Sequence, residues 1–258
     1  MLNFAANLTM MFNEVPFLER FKAARQASFL GVECLFPYEF SAYDIGQRLH
    51  DNDLTQVLFN LPAGNWESGE RGIAALPGRK DDFKHSVELA LDYAEATGCK
   101  TLHAMAGIIP RGGNREEMFD TLVINLNMAC ELAKSAGVSI VIEPLNNQDV
   151  PGYFISRVSD AANIIESVGC DNLGLQFDFY HIQIMDGNLV RHFNDHLKQV
   201  FHIQISSVPG RHEPIDGEIN YSFIFKNIKA SQYKGWIGCE YIPRTKTTDG
   251  LNWLNELI

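Results

Sequence analysis

Short apolar runs alternate with longer stretches of helical period along the whole chain. The runs Phe4–Leu8, Gly31–Pro37, Leu54–Leu61, Thr101–Ala106, Val138–Glu143, Leu173–Asp178, Val200–Ile205 and Gly235–Pro243 have the length and near-continuous apolarity of strands buried on both faces. Between them, Phe83, Val87, Ala90, Leu91 and Ala94 recur at spacings of three and four, and Gly98 stands where a left-handed cap belongs. A second such stripe runs through Phe119, Leu122, Val123, Leu126, Ala129, Cys130 and Ala133 to Gly137. Pro16, Ser41 and Ser159 predict helix starts, and Gly31 and Gly169 predict helix ends. Shorter helices are predicted from about Leu189 to Leu197, around Tyr221–Lys229 and over Gly250–Ile258.

Eight strands with helices between them, repeating about every 32 residues, is the rhythm of βα units on a parallel sheet. A doubly wound open sheet gives a similar rhythm, but no G-x-G-x-x-G motif follows the first strand. The pattern therefore predicts one α/β domain over residues 1–258, a single (β/α)8 TIM barrel.

Active sites of such barrels lie at the C-terminal ends of the strands. The last four predicted strands end in or near Glu143, Asp178, Gln204 and Glu240, spaced 35, 26 and 36 residues apart, each close to one repeat. Closing the barrel brings the four together. A lone carboxylate ending an apolar strand, as Glu240 does in Gly235–Pro243, is costly unless it is partnered. Taken singly, an Asp or Glu at a strand end is more often a cap or an ion-pair partner than a ligand, and Gln204 alone reads as a satisfied barrel amide. As a set, oxygen ligands from carboxylates and one amide suit Mg²⁺ or Mn²⁺ better than zinc.

Three carboxylates around a dication leave about one net negative charge, so an anionic substrate needs a fixed cation. Arg211, in the loop after the seventh strand, offers a bidentate fork, with Arg244 and Lys246 in reserve. Arg211 is equally placed to pair with Glu213 or Asp216. His181, three residues past Asp178, is read either as a substrate contact or as a partnered loop histidine. Glu33 and His202 read as interior partners, and His103 as an interior residue.

The formal charge of −11 disfavours nucleic acid and anionic membrane as partners. Five scattered cysteines without a C-x-x-C pair, no long apolar span and no leader-like start lead to the expectation of a reduced, cytoplasmic protein. The long loop Pro62–Gly78, carrying Trp66 and Arg71, reads either as a cover over the site or as a surface or subunit-contact loop in a homo-oligomer.

Several stretches in order resemble the hydroxypyruvate isomerase family, within the xylose-isomerase-like barrels. They include Phe4–Leu8, Leu61–Gly64, Gly69–Gly72, Pro77–Arg79, Ile142–Pro144, Asp216–Tyr221 and Gly235–Tyr241. The resemblance implies a divalent metal, Mg²⁺ or Mn²⁺, on Glu143, Asp178, Gln204 and Glu240, with Glu143 and Glu240 as the proton-transfer pair and Arg211 on the substrate. It implies isomerisation of a small anionic hydroxy or oxo acid, hydroxypyruvate to tartronate semialdehyde. A sister group acting on 2-oxo-tetronate shares most of these motifs. Related sugar epimerases place a histidine where Gln204 stands, which leaves the choice of metal open. The rival readings are a non-catalytic sugar-acid binding protein and a metal-dependent endonuclease, which would need a basic groove and a richer histidine set.

Overall fold

A computed structural model describes residues 2–257, and the last position of the expected C-terminal helix, Ile258, lies outside them. Eight parallel strands close into a barrel in sequence order: β1 (Asn3–Asn7), β2 (Gly31–Cys34), β3 (Thr55–Asn60), β4 (Thr101–His103), β5 (Ser139–Ile142), β6 (Leu173–Asp178), β7 (Val200–Ile205) and β8 (Trp236–Cys239). Strand β8 pairs with β1, so no edge is left open. The helices around it are α1 (Phe17–Gln26), α2 (Ala42–Asp51), α3 (Lys80–Thr97), α4 (Arg115–Ser135), α5 (Val158–Val168), α6 (Phe179–Met185), α7 (Leu189–Asp195), α8 (Tyr221–Ala230) and α9 (Trp253–Glu256). Among the described residues no helix is long and apolar enough to cross a membrane.

The stripes read from sequence are the buried faces. Helix α3 buries Phe83, Val87, Ala90 and Ala94 and ends at Gly98 with φ +70°. Ser41 caps α2 by accepting from the Asp44 amide at 3.1 Å. Ser159 does not cap α5: its N-cap is Arg157, and the Val158 amide donates instead to Asp186, 28 residues further along the chain. Of the predicted last helix, Gly250–Ile258, only the short α9 forms, and a 3-10 turn over Thr247–Gly250 precedes it.

Polar side chains form a layer inside the barrel just beneath the strand ends. Glu33 on β2 accepts from Asn7 (2.9 Å) and Gln204 (2.8 Å), and its other oxygen lies 2.7 Å from His202 Nε2. Gln204 in turn accepts from Gln176 at 2.6 Å. Gly238 makes room for this layer, since a Cβ there would collide with the Glu33 carboxylate. Glu33→Ala would leave Asn7, Gln204 and His202 facing a void, at a cost of about 3–5 kcal/mol. Denaturant unfolding of that variant should show the loss, and an unchanged midpoint would refute the partnership.

Candidate active site

The polar layer rises into a cavity of about 420 Å³ at the C-terminal mouth, reached by Glu143, Gln176, His181, Arg211 and Glu240 from different strand ends. A larger open hollow of about 1060 Å³ lies at the other end, against Thr101, Ser139, Val200 and Gly235 where strands begin. Its walls carry no convergent buried acids, and barrel chemistry belongs to the opposite face.

Asp178 ends β6 and opens α6 at once. Its Oδ1 caps the helix by accepting from the Tyr180 amide at 2.8 Å. Its Oδ2 is buried and has no hydrogen-bond partner among the described residues. Glu143, one residue past β5, likewise keeps Oε1 buried and unpartnered. Glu240, one residue past β8, accepts from Arg211 and, at 3.3 Å, from Asn7. Arg211 also lies 3.8 Å from Asp178 and 3.9 Å from Asp149, with its guanidinium 4.9 Å from the Tyr180 ring centroid. The alternative partner offered for Arg211, Glu213, lies instead 3.8 Å from Arg244.

Three buried acids share one guanidinium, and their proton affinities respond. Burial pushes the Glu143 carboxyl well above the ordinary range, and the Glu240 and Asp178 charges push it further. Burial also lifts Asp178 to about 7 against the pull of Arg211. Glu240 is raised by burial, again against Arg211. Arg211 loses solvation by burial, yet the surrounding carboxylates more than compensate and hold it protonated.

His181 lies on α6, not in a loop, and its tautomer is legible. The Asn146 backbone amide donates to Nδ1 at 3.1 Å, and the Asn146 side-chain nitrogen approaches the same atom at 2.7 Å. The side-chain amide cannot be turned round, because its oxygen accepts from the Gln148 and Asp149 amides at 3.0 and 2.8 Å. Burial and the nearby Arg211 charge hold the ring neutral. Its one proton therefore sits on Nε2, 3.6 Å from Asp178 Oδ2, and points into the site as a donor.

Atoms of Glu143, Asp178 and His181 lie within 4.8 Å of one another. The tautomer makes His181 the weakest ligand of the three, whereas the two orphaned carboxylate oxygens are what a hard cation would satisfy. The Gln204 amide is engaged beneath, accepting from Gln176 and donating to Glu33, while Glu240 lines the cavity and accepts from Arg211. Of the four residues expected at the strand ends, Glu143 and Glu240 line the cavity and Asp178 lies beside Glu143, whereas Gln204 sits in the polar layer beneath. Sequence reasoning misses Asn7, Asn146 and Gln176. Asn146 carries a signal in Asn146-x-x-Asp149, a turn closed by the asparagine's own side chain.

A family model described as xylose isomerase-like TIM barrel matches residues 21–257. The chain belongs to the xylose isomerase-like TIM-barrel family. It is 48% identical over 258 residues to the 2-oxo-tetronate isomerase of Cupriavidus necator, covering 100% of this chain and 99% of that protein. It is 43% identical over 255 residues to the hydroxypyruvate isomerase of Escherichia coli, covering 99% of each. A crystal structure described as an AP endonuclease, family 2, from Brucella melitensis superposes with a TM-score of 0.98 at 48% identity, covering 99% of each chain. The chain's place among hydroxypyruvate and 2-oxo-tetronate isomerases, implied by the resemblance in its sequence, is borne out.

Proposed function

We propose that this enzyme interconverts hydroxypyruvate and tartronate semialdehyde by proton transfer between neighbouring carbons. The observation that carries the reading is that Glu143 and Glu240 face one cavity from strands β5 and β8, both buried and both with raised proton affinity. Close carboxyl groups that resist joint ionisation share protons, so one begins as base and the other as acid. One glutamate removes a proton from C3 to give an ene-diolate, and the other returns a proton to C2 while the C3 hydroxyl proton passes to the C2 oxygen. The Nε2–H of His181 and the guanidinium of Arg211 donate to the oxygens on which charge develops.

Glu143, Asp178, Gln204 and Glu240 would hold Mg²⁺ or Mn²⁺, which when bound supplies Lewis-acid polarisation of the carbonyl. The unpartnered oxygens of Glu143 and Asp178 support that assignment.

Isomerisation of 2-oxo-tetronate is the second reading, favoured by the 48% identity to the enzyme of that name. It uses the same carbons and adds one hydroxymethyl group. The net charge of −11 supports a small-molecule substrate over DNA despite the endonuclease name of the structural relative. Five free cysteines support a reducing, cytoplasmic setting.

Rates on both acids, measured side by side in D₂O with defined metals, test the proposal. Turnover with solvent deuterium entering the product is expected. Stable binding without exchange would make the protein a sugar-acid binder instead.

A further inference from the structure

Two cationic side chains line the cavity, Arg71 and Arg211, and they are placed very differently. Arg211 is committed to the Glu240, Asp178 and Asp149 carboxylates. Arg71 comes from the loop after β3 and has no acid beside it among the described residues. One of its terminal nitrogens is anchored, donating to the Trp66 carbonyl at 3.0 Å and the Glu70 carbonyl at 2.8 Å. Its guanidinium lies 3.9 Å from the Trp66 ring centroid, and Trp66 packs edge-on against Phe36 at 5.0 Å. The adjacent acid, Glu70, is occupied elsewhere by Arg79 (2.6 Å) and the Asn65 amide (2.5 Å). What remains free is the Nε edge with the second terminal nitrogen, the two-donor fork that matches a carboxylate.

The loop holding this fork is fixed to the barrel. Ala74 and Ala75 donate to the carbonyls of Met105 and Ala106 at 3.3 and 2.8 Å. Gly72 packs so tightly that a Cβ would collide with the Met105 carbonyl. The fork is therefore stacked and oriented before any substrate arrives, so little rotamer freedom is lost on binding.

We infer that Arg71 is the substrate-binding residue that reads the terminal carboxylate of the oxo acid. The proposal rests on the isomerase reading and assigns the two ends of the substrate. The carboxylate docks at Arg71 on the Trp66 wall, and the reacting carbons lie between Glu143 and Glu240. Arg211 is left to the oxygens of the ene-diolate. A site with only Arg211 would have to satisfy the substrate carboxylate and three protein acids with one charge.

The test uses D-glycerate, an unreactive acid of the same size, against glycerol as its neutral counterpart. Binding is measured by calorimetry on the wild-type protein, R71Q and R71K, alongside melting curves. Loss of a charged two-donor contact should weaken D-glycerate binding about 100-fold in R71Q. R71K, which keeps charge but not the fork, should recover part of the loss, and it covers the case in which glutamine unsettles the loop. KM for hydroxypyruvate should rise by a similar factor, with kcat changed much less.

Unchanged D-glycerate affinity in both variants would overturn the assignment. So would an equal loss of binding for acid and alcohol, or a wild-type protein that does not bind D-glycerate. A wild-type protein that isomerises neither oxo acid but binds D-glycerate through Arg71 would refute the isomerase reading and uphold the carboxylate site.

Discussion

Glu240→Gln is expected to fold normally and to lose about 10²–10⁴ in kcat, the usual worth of a positioned general acid or base. The amide keeps size and one oxygen for Arg211, so the change falls on proton transfer and not on packing. The pH profile should change with it. On the proposed mechanism, wild-type activity needs one glutamate ionised and the other protonated, which should give a bell. Its acid limb is displaced above the ordinary glutamate range, because burial raises both carboxyls. In the variant a single limb, that of Glu143, should remain. Near-wild-type turnover, or an unaltered bell, would remove Glu240 from the reaction.

Asp178→Asn should have the second large effect, on stability and metal response together. Asparagine keeps the helix cap, so α6 is retained. The folded protein holds Asp178 at about 7, well above an ordinary aspartate, so it favours the protonated form. That contribution is fully present below about pH 4 and is lost as the pH rises towards 7, on the order of 1.4 kcal/mol for every pH unit climbed between those limits. In the presence of a chelator the wild type should therefore melt lower at pH 8 than at pH 5, and the variant should flatten that slope. Adding Mn²⁺ or Mg²⁺ at pH 8 should raise the wild-type melting temperature and leave the variant nearly unmoved. Activity should vanish on chelation and return with the ion. A wild-type enzyme indifferent to chelator in both measurements would sink the metal assignment.

Much of this site can be read from sequence because strand ends carry their chemistry at a fixed period. Glu143, Asp178 and Glu240 each interrupt an apolar run where a barrel strand must stop, and each looks for partners beyond its own strand, although one Asp178 oxygen also caps the helix that follows. Helix α6 is not legible for a related reason. Phe179, Tyr180, His181 and Ile182 are all buried, so the first turn of this short helix is covered all round and shows no one-sided period to betray it. The sequence points to Ser159 as the cap of α5 because the true acceptor, Asp186, arrives from a distant part of the chain. Arg211 is recognisable as a cation at the mouth, but its partner is not. It meets Glu240, 29 residues further along the chain, from a left-handed backbone at φ +51°, and no sequence period encodes either.

Glu33 never touches the cavity, yet its charge raises the proton affinity of both Asp178 and Glu240 above it. The barrel interior thus holds a fixed carboxylate beneath the candidate site, kept in place by Asn7, Gln204 and His202. Relatives could retune their working pH by exchanging residues in this hidden layer while every group in contact with substrate stays the same. In an engineered version, the optimum would be set from below.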